Sequence, residues 1–341
     1  MSMSLAVKYR PKSWGEVTEQ SSTRLILQQQ LESGEVKHGY LFCGGAGTGK
    51  TTCARIFASE INKGLGVPIE LDAASHNSVD DIRNIGQQAS TIPLDSEYKV
   101  FILDEVHALS NSAWQAMLKL LEEPPTTAIF IFCTTDPQKI PKTILSRVQR
   151  YDFQKISQQG IIDRLQYIFL HEHEGRDYYY DKSALEYIAK IADGGMRDAI
   201  TMLDKCLSYS DELTLGNVVK ALGVVDYEQM FSLTDVLLQG KAKEMLEIVD
   251  SVHISGKDLR QFIRNYTNFV LDLCKYDVTR SFQFLYIPQT YEDIMKTYSD
   301  DDFVGCKYLL NRLLKLNNDI KWETSPRAII EAVFFQFCVG E

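Results

Sequence analysis

No apolar run in this chain of 341 residues is long enough to cross a bilayer: the longest, Ala128 to Cys133, falls far short of the ~20 residues a helical span needs. The first residues, Met1-Ser2-Met3-Ser4-Leu5, lack the apolar centre of a signal peptide. Both absences predict a cytoplasmic protein with no membrane partner. Paired cysteines are also lacking. Cys43, Cys53, Cys133, Cys206, Cys274, Cys306 and Cys338 stand singly, odd in number and with no C-x-x-C, which argues against a disulfide framework or a zinc ribbon and predicts buried, reduced thiols. There is no internal repeat and no low-complexity segment. The short runs Gln28–Gln30 and Asp300–Asp302 read as a solvated helix face and a loop or helix start. With 45% hydrophobic and 24% charged residues, disorder is excluded, and the length suggests two or three domains, each with its own core.

Charge is unevenly placed. The net charge is −10, but up to Ser157 there are 16 basic and 17 acidic residues, against 20 and 29 beyond it. If nucleic acid is bound, the N-terminal half is the better candidate.

Up to about Ile156, apolar runs alternate with helix-period stretches, the pattern of a parallel sheet covered by helices. Tyr40–Cys43, Val100–Leu103 and Ile129–Cys133 lack polar alternation and predict strands buried on both faces, with a weaker strand over Pro68–Leu71. Ser110 is placed to cap a helix carrying Trp114, Met117, Leu118 and Leu121, which Pro124-Pro125 stops. After Ser157 the periodicity is helical, first in a small segment, then in a longer one. There Leu259, Phe262, Ile263, Tyr266, Phe269, Val270 and Leu273 share one face, and Ile329, Ile330, Val333, Phe334 and Phe337 share another. The expected divisions are 1–156 (α/β), 157–225 (helical) and 226–341 (helical).

Gly44-Gly45-Ala46-Gly47-Thr48-Gly49-Lys50-Thr51 fits G-x-x-x-x-G-K-[ST], between a strand and an apolar-periodic helix. Its glycines let backbone N–H groups wrap phosphates, Lys50 reaches the terminal phosphates, and the Thr51 hydroxyl ligates Mg²⁺. Some fifty residues on, the strand Val100–Leu103 ends in Asp104, to hold the metal and its waters, and Glu105, to act as general base. Thr135 closes the next strand, where a hydroxyl can orient the attacking water. Arg147, after the helix-like Pro141–Leu145, and Arg197, after Gly194-Gly195, are candidates to stabilise charge near the γ-phosphate. His107 is expected to hold loop geometry, and His171 with His173 has no metal-ligand spacing.

These motifs, together with Tyr9-Arg10-Pro11, Asp104-Glu105-Val106-His107, Leu120-Leu121-Glu122-Glu123-Pro124-Pro125, Thr134-Thr135-Asp136-Pro137-Gln138-Lys139-Ile140-Pro141, Ser146-Arg147 and Gly195-Met196-Arg197-Asp198-Ala199, stand in matching order between Tyr9 and about Leu203. So combined, the chain resembles the AAA+ ATPase subunit of bacterial sliding-clamp loaders, the gamma/tau family of DNA polymerase III. The resemblance implies an AAA+ P-loop NTPase domain, a helical lid and a helical collar that oligomerises. It implies ATP and Mg²⁺, with Thr52 beside Thr51 in the nucleotide site and Tyr9, Arg10 and Pro11 lining the adenine pocket. Thr135 resembles sensor 1, Arg197 the lid's sensor 2 acting in cis, and Arg147 the trans-acting finger, although Val148 replaces the cysteine that usually follows it. Arg83 and Lys119 occupy places that match DNA-tracking helices, and the neutral His76, Asn77 and Ser78 imply low affinity per subunit. The implied partners are other clamp-loader subunits in a homo- or hetero-pentamer, the sliding clamp and primer-template DNA. Between Ala58 and Asp72 there is no cysteine, so the family's zinc module is not expected. Two rival functions stay in view: another AAA+ DNA-processing motor, of helicase-loader or branch-migration type, and a non-catalytic clamp-loader subunit.

Overall fold

Long apolar runs with no polar alternation can be satisfied only inside a sheet covered on both faces. In the computed structural model of the chain, which describes residues 3–175, 179–222, 227–256 and 258–340, these runs are central strands. Strands β1 (Gly39–Gly44), β2 (Ile69–Asp72), β3 (Lys99–Asp104), β4 (Ala128–Thr134) and β5 (Gln149–Phe153) form one sheet in the order β2-β3-β4-β1-β5. Every pairing is parallel, with Leu41 opposite both Phe132 of β4 and Arg150 of β5. Strand β5 is an addition to the sequence expectation. Its charged residues alternate with Tyr151 and Phe153, which turn inward from the sheet edge while Arg150 and Asp152 face water and pair with each other at 2.7 Å.

The period of two divides the core. Leu41, Phe101, Leu103, Phe130 and Phe132 face one layer, and Tyr40, Phe42, Ile102, Ile131 and Cys133 face the other. The helices follow in order: α1 (Leu5–Lys8), α2 (Ser21–Ser33), α3 (Lys50–Ile61), α4 (Val79–Ala89), α5 (Asn111–Glu122), α6 (Lys142–Leu145), α7 (Gln158–Glu172), α8 (Lys182–Ile191) and α9 (Met196–Tyr209). Side chains of α4 and α5 cover the first layer, and those of α2 and α3 the second. Ser110 caps α5 by accepting the Ala113 N–H at 3.2 Å, and Ser78 and Asp81 cap α4 reciprocally.

The described residues separate into two units, Met1–Tyr178 with Ile188–Ser208, and Tyr179–Tyr187 with Tyr209–Glu341. The first holds the sheet, α1 to α7 and most of α9. The second holds α10 (Leu215–Leu222), α11 (Tyr227–Leu238), α12 (Ala242–Ile254), α13 (Leu259–Thr279), α14 (Glu292–Met295), α15 (Asp300–Asp319) and α16 (Pro326–Val339). Helix α13 buries the whole apolar face from Leu259 to Leu273, whereas α16 buries Ile330 and Phe334 and leaves Ile329, Val333 and Phe337 half-buried. The Asp300–Asp302 run opens α15, where Asp302 and Ser299 form a capping box. The expected boundary at 225/226 lies outside the described residues. Among those described, no helix is long and apolar enough to cross a membrane, and all seven cysteines are free.

Candidate active site

The sheet order puts β1 between β4 and β5, so the loop leaving β1 emerges at the middle of the sheet's carboxyl edge, where α/β folds bind ligands. Gly44 sits so close to β5 that a Cβ would lie 2.5 Å from the Phe153 carbonyl oxygen. At Gly47 φ is +69°, and a Cβ would lie 3.0 Å from Gly195 Cα. The Gly47 carbonyl accepts the Met196 N–H at 3.0 Å, which ties the loop to the start of α9. Thr48 Oγ1 closes the loop on Gly45 O at 2.9 Å. Lys50 is buried, with Nζ donating to Gly44 O (2.9 Å) and Gly45 O (2.7 Å). Burial pulls its pKa below that of an ordinary lysine, opposed by the nearby Glu105 carboxylate. The first turn of α3, Lys50 to Thr52, offers N–H groups that no residue four positions earlier can satisfy inside the helix.

The end of β3 meets this loop. Thr51 Oγ1 donates to Asp104 Oδ2 at 2.7 Å, and the Glu105 N–H donates to Asp104 Oδ1 at 3.0 Å. Glu105 is left-handed (φ +48°), a strained conformation for a residue with a Cβ. Its Oε2 accepts Thr135 Oγ1 at 2.9 Å, from just beyond β4, and the Thr135 N–H at 3.4 Å. His107 Nδ1 lies 3.2 Å from the same oxygen and 3.3 Å from Thr134 Oγ1. His107 therefore touches the acid itself as well as the loop. Nothing in its spacing from Glu105 marks that contact, which the turn of backbone at Glu105 creates.

A cavity of about 280 Å³ lies wholly within the first unit and is lined by Tyr9–Pro11, Ala46–Thr52, Asp104, Glu105 and Arg197. Its apolar lining includes Val17, Ile156 and Ile200, which no motif marked and which could be found only as neighbours in space. Tyr9 donates its hydroxyl to Glu172 Oε1 at 2.5 Å, and Lys8 pairs with the same carboxylate at 2.7 Å. Burial, followed by this bond, raises the Tyr9 phenol pKa. Gly44 and Gly45 stand behind the lining, and Thr135 reaches the site through Glu105. Arg147 is elsewhere, exposed, donating to Glu122 Oε1 and Thr143 O at 2.8 Å each. Arg83 on α4 pairs with Asp80 at 2.9 Å, and Lys119 is exposed on α5, which packs against α4. A buried lysine, free helix N–H groups and a hydroxyl–carboxylate pair suit a polyphosphate. Thr51 and Asp104 offer the two oxygen ligands typical of an Mg²⁺ that keeps waters and phosphate oxygens.

Comparison with known proteins returns DNA polymerase III families between residues 67 and 299. Residues 67–157 match the family described as DNA polymerase III, delta subunit. Residues 160–212 match the DNA polymerase III clamp loader subunit, ATPase lid domain, and 213–299 match DNA polymerase III subunits gamma and tau domain III. DNA polymerase III subunit tau of Bacillus subtilis is 33% identical, the alignment covering 97% of this chain and 62% of that one. The gamma subunit of Buchnera aphidicola is 28% identical with 97% of both chains covered. The tau and gamma/tau relatives are longer, and this chain spans 42% to 62% of four of them. Among solved structures, the Holliday junction branch migration motor RuvB of Thermotoga maritima superposes with a TM-score of 0.52 at 21% identity, covering 68% of this chain and 80% of that one, a likeness of fold. The lid and gamma/tau domain III models thus follow one another in chain order behind an AAA+ parallel sheet, and over 97% of its length the chain is similar to a DNA polymerase III tau subunit.

Proposed function

We propose that this chain is the ATPase subunit of a sliding-clamp loader, acting in the cytoplasm with companion subunits, a sliding clamp and primer-template DNA. One observation carries the reading: an unbroken set of contacts runs from Thr51 through Asp104 and Glu105 to Thr135, beside the buried Lys50. ATP is the substrate, and Mg²⁺, when bound, neutralises phosphate charge. Lys50 Nζ exchanges the carbonyls of Gly44 and Gly45 for phosphate oxygens, while the N–H groups of Gly47 to Thr52 share the remaining charge. Thr51 Oγ1 and Asp104 would hold the cation. Glu105 accepts the proton of the attacking water, and Thr135 fixes the carboxylate that does so. Arg197 faces the nucleotide of its own subunit. Arg147 lies outside its own cavity, paired among the described residues with exposed groups, and is available to complete the site of a neighbour. Arg83 and Lys119, on adjoining helices, meet duplex phosphates.

In this scheme 1–156 is the nucleotide-binding domain, 157–225 the lid and 226–341 the collar. ATP binding orders a pentamer that opens the clamp and grips primer-template DNA, and hydrolysis to ADP and phosphate releases the loaded clamp. The test is steady-state ATP turnover by the purified chain, alone and then with clamp, companion subunits and primed DNA. Strong stimulation by clamp and primed DNA together is the expected result. Robust turnover indifferent to the clamp would favour another AAA+ motor, and no turnover in the complete mixture would favour a non-catalytic subunit.

A further inference from the structure

Arg10 and Arg197 both line the cavity without a side-chain partner among the described residues, and of the two Arg10 is the partly buried one. Its guanidinium is partly buried and, among the described residues, makes no hydrogen bond and no ion pair, whereas Lys50 is bonded to loop carbonyls and Arg55 pairs with Glu70 at 2.5 Å. Burial, then the like charges of Arg55 and Arg197, disfavours its charged form, and Glu70 and Asp104 oppose them more weakly. Both of those carboxylates are already engaged. Arg55 holds Glu70, while Thr51 and the Glu105 N–H occupy the two oxygens of Asp104. A guanidinium does not release its proton in a protein, so partial burial near two other arginines favours an anion at this place.

The residue beside it is committed elsewhere. The Tyr9 hydroxyl donates to Glu172, and Arg164 Nη2 donates to the Tyr9 carbonyl at 2.8 Å, so both ends of Tyr9 are fastened to α7. That anchorage leaves Arg10 as the charged member of Tyr9-Arg10-Pro11 at the cavity wall. We infer that Arg10 binds phosphate oxygens of the nucleotide, so that this segment reads the polyphosphate and not the base. The inference rests on the nucleotide site proposed above. Two parallel N–H groups of the guanidinium match two oxygens of one phosphate, a geometry that lysine cannot reproduce.

The experiment is calorimetric titration of the full chain in Mg²⁺ buffer with non-hydrolysable ATP and GTP analogues and with inorganic tripolyphosphate. Arg10→Gln is expected to weaken the ATP analogue and tripolyphosphate by about tenfold or more, with the preference for adenine over guanine unchanged. A changed base preference with tripolyphosphate unaffected, or no change with any probe, overturns the inference. Should Arg10→Gln fail to fold, Arg10→Lys decides: it keeps the charge without the planar fork, a several-fold loss is expected, and unchanged binding overturns the proposal. Failure of the unmodified chain to bind the ATP analogue would instead remove the nucleotide site itself.

Discussion

At the scale of residues, the site pairs a buried lysine bonded to its own loop with two acids joined by a hydrogen bond. Lys50 donates to two carbonyls of its own loop, and those bonds are weaker than charge-assisted bonds to phosphate. Lys50→Ala is expected to abolish nucleotide binding by the isolated chain in a calorimetric titration. Arg147→Ala is expected to leave that binding intact and to lower turnover by about a thousandfold in the assembled complex, the scale of a transferred arginine. Lost affinity in monomeric Arg147→Ala would contradict a role in trans. Residues whose placement follows from local pattern were legible in sequence: a glycine-rich turn before a helix, and two acids after an apolar strand. His107 and Tyr9 were less so. The first meets Glu105 because of one left-handed residue, and the second meets Glu172 across a separation of 163 positions, which no local pattern encodes.

At the scale of elements, the buried strands announced themselves by composition, and the edge strand did not. Strands β1, β3 and β4 are apolar on both faces, so burial alone dictates their sequence. Strand β5 pairs with β1 alone and exposes Arg150 and Asp152, and its five residues carry two inward aromatics as their only signal. Yet β5 sets the depth of the phosphate loop, since Phe153 O is what excludes a side chain at Gly44. The junction of Gly47 with Gly195 is a second such dependence. Gly47→Ala places a Cβ on a left-handed residue and 3.0 Å from another backbone. It is expected to destabilise the first unit by ~1–3 kcal/mol and to weaken nucleotide binding, read as a lower unfolding midpoint and a raised Kd. An unchanged midpoint would mean that α9 moves away from the loop without cost.

At the scale of the whole molecule, the buried thiols make stability depend on alkaline pH. Burial raises Cys43 to about 11 and Cys53 to about 12, from the ordinary 9.0. An unfolded chain would ionise both near 9, while the folded chain keeps the protons, so their contribution is complete below that pH and is lost as pH rises through the folded values. The urea midpoint is expected to hold steady from pH 7 to about 8.5 and to fall between about 9 and 11. A flat profile would show that these thiols ionise equally in both states.

By itself the sequence determined which segments are strands buried on both faces, which glycine-rich loop leads from a strand into a helix, and that helices follow the sheet, because each of these is dictated by the period of apolar residues or by chemistry within a few positions. Tertiary structure alone decided the strand order, the edge strand β5, the grip of α7 on Tyr9, the isolation of Arg10 among engaged carboxylates and the absence of Arg147 from its own cavity. Those features come from contacts between segments distant in the chain, and burial fixes their energy only when the pieces are brought together.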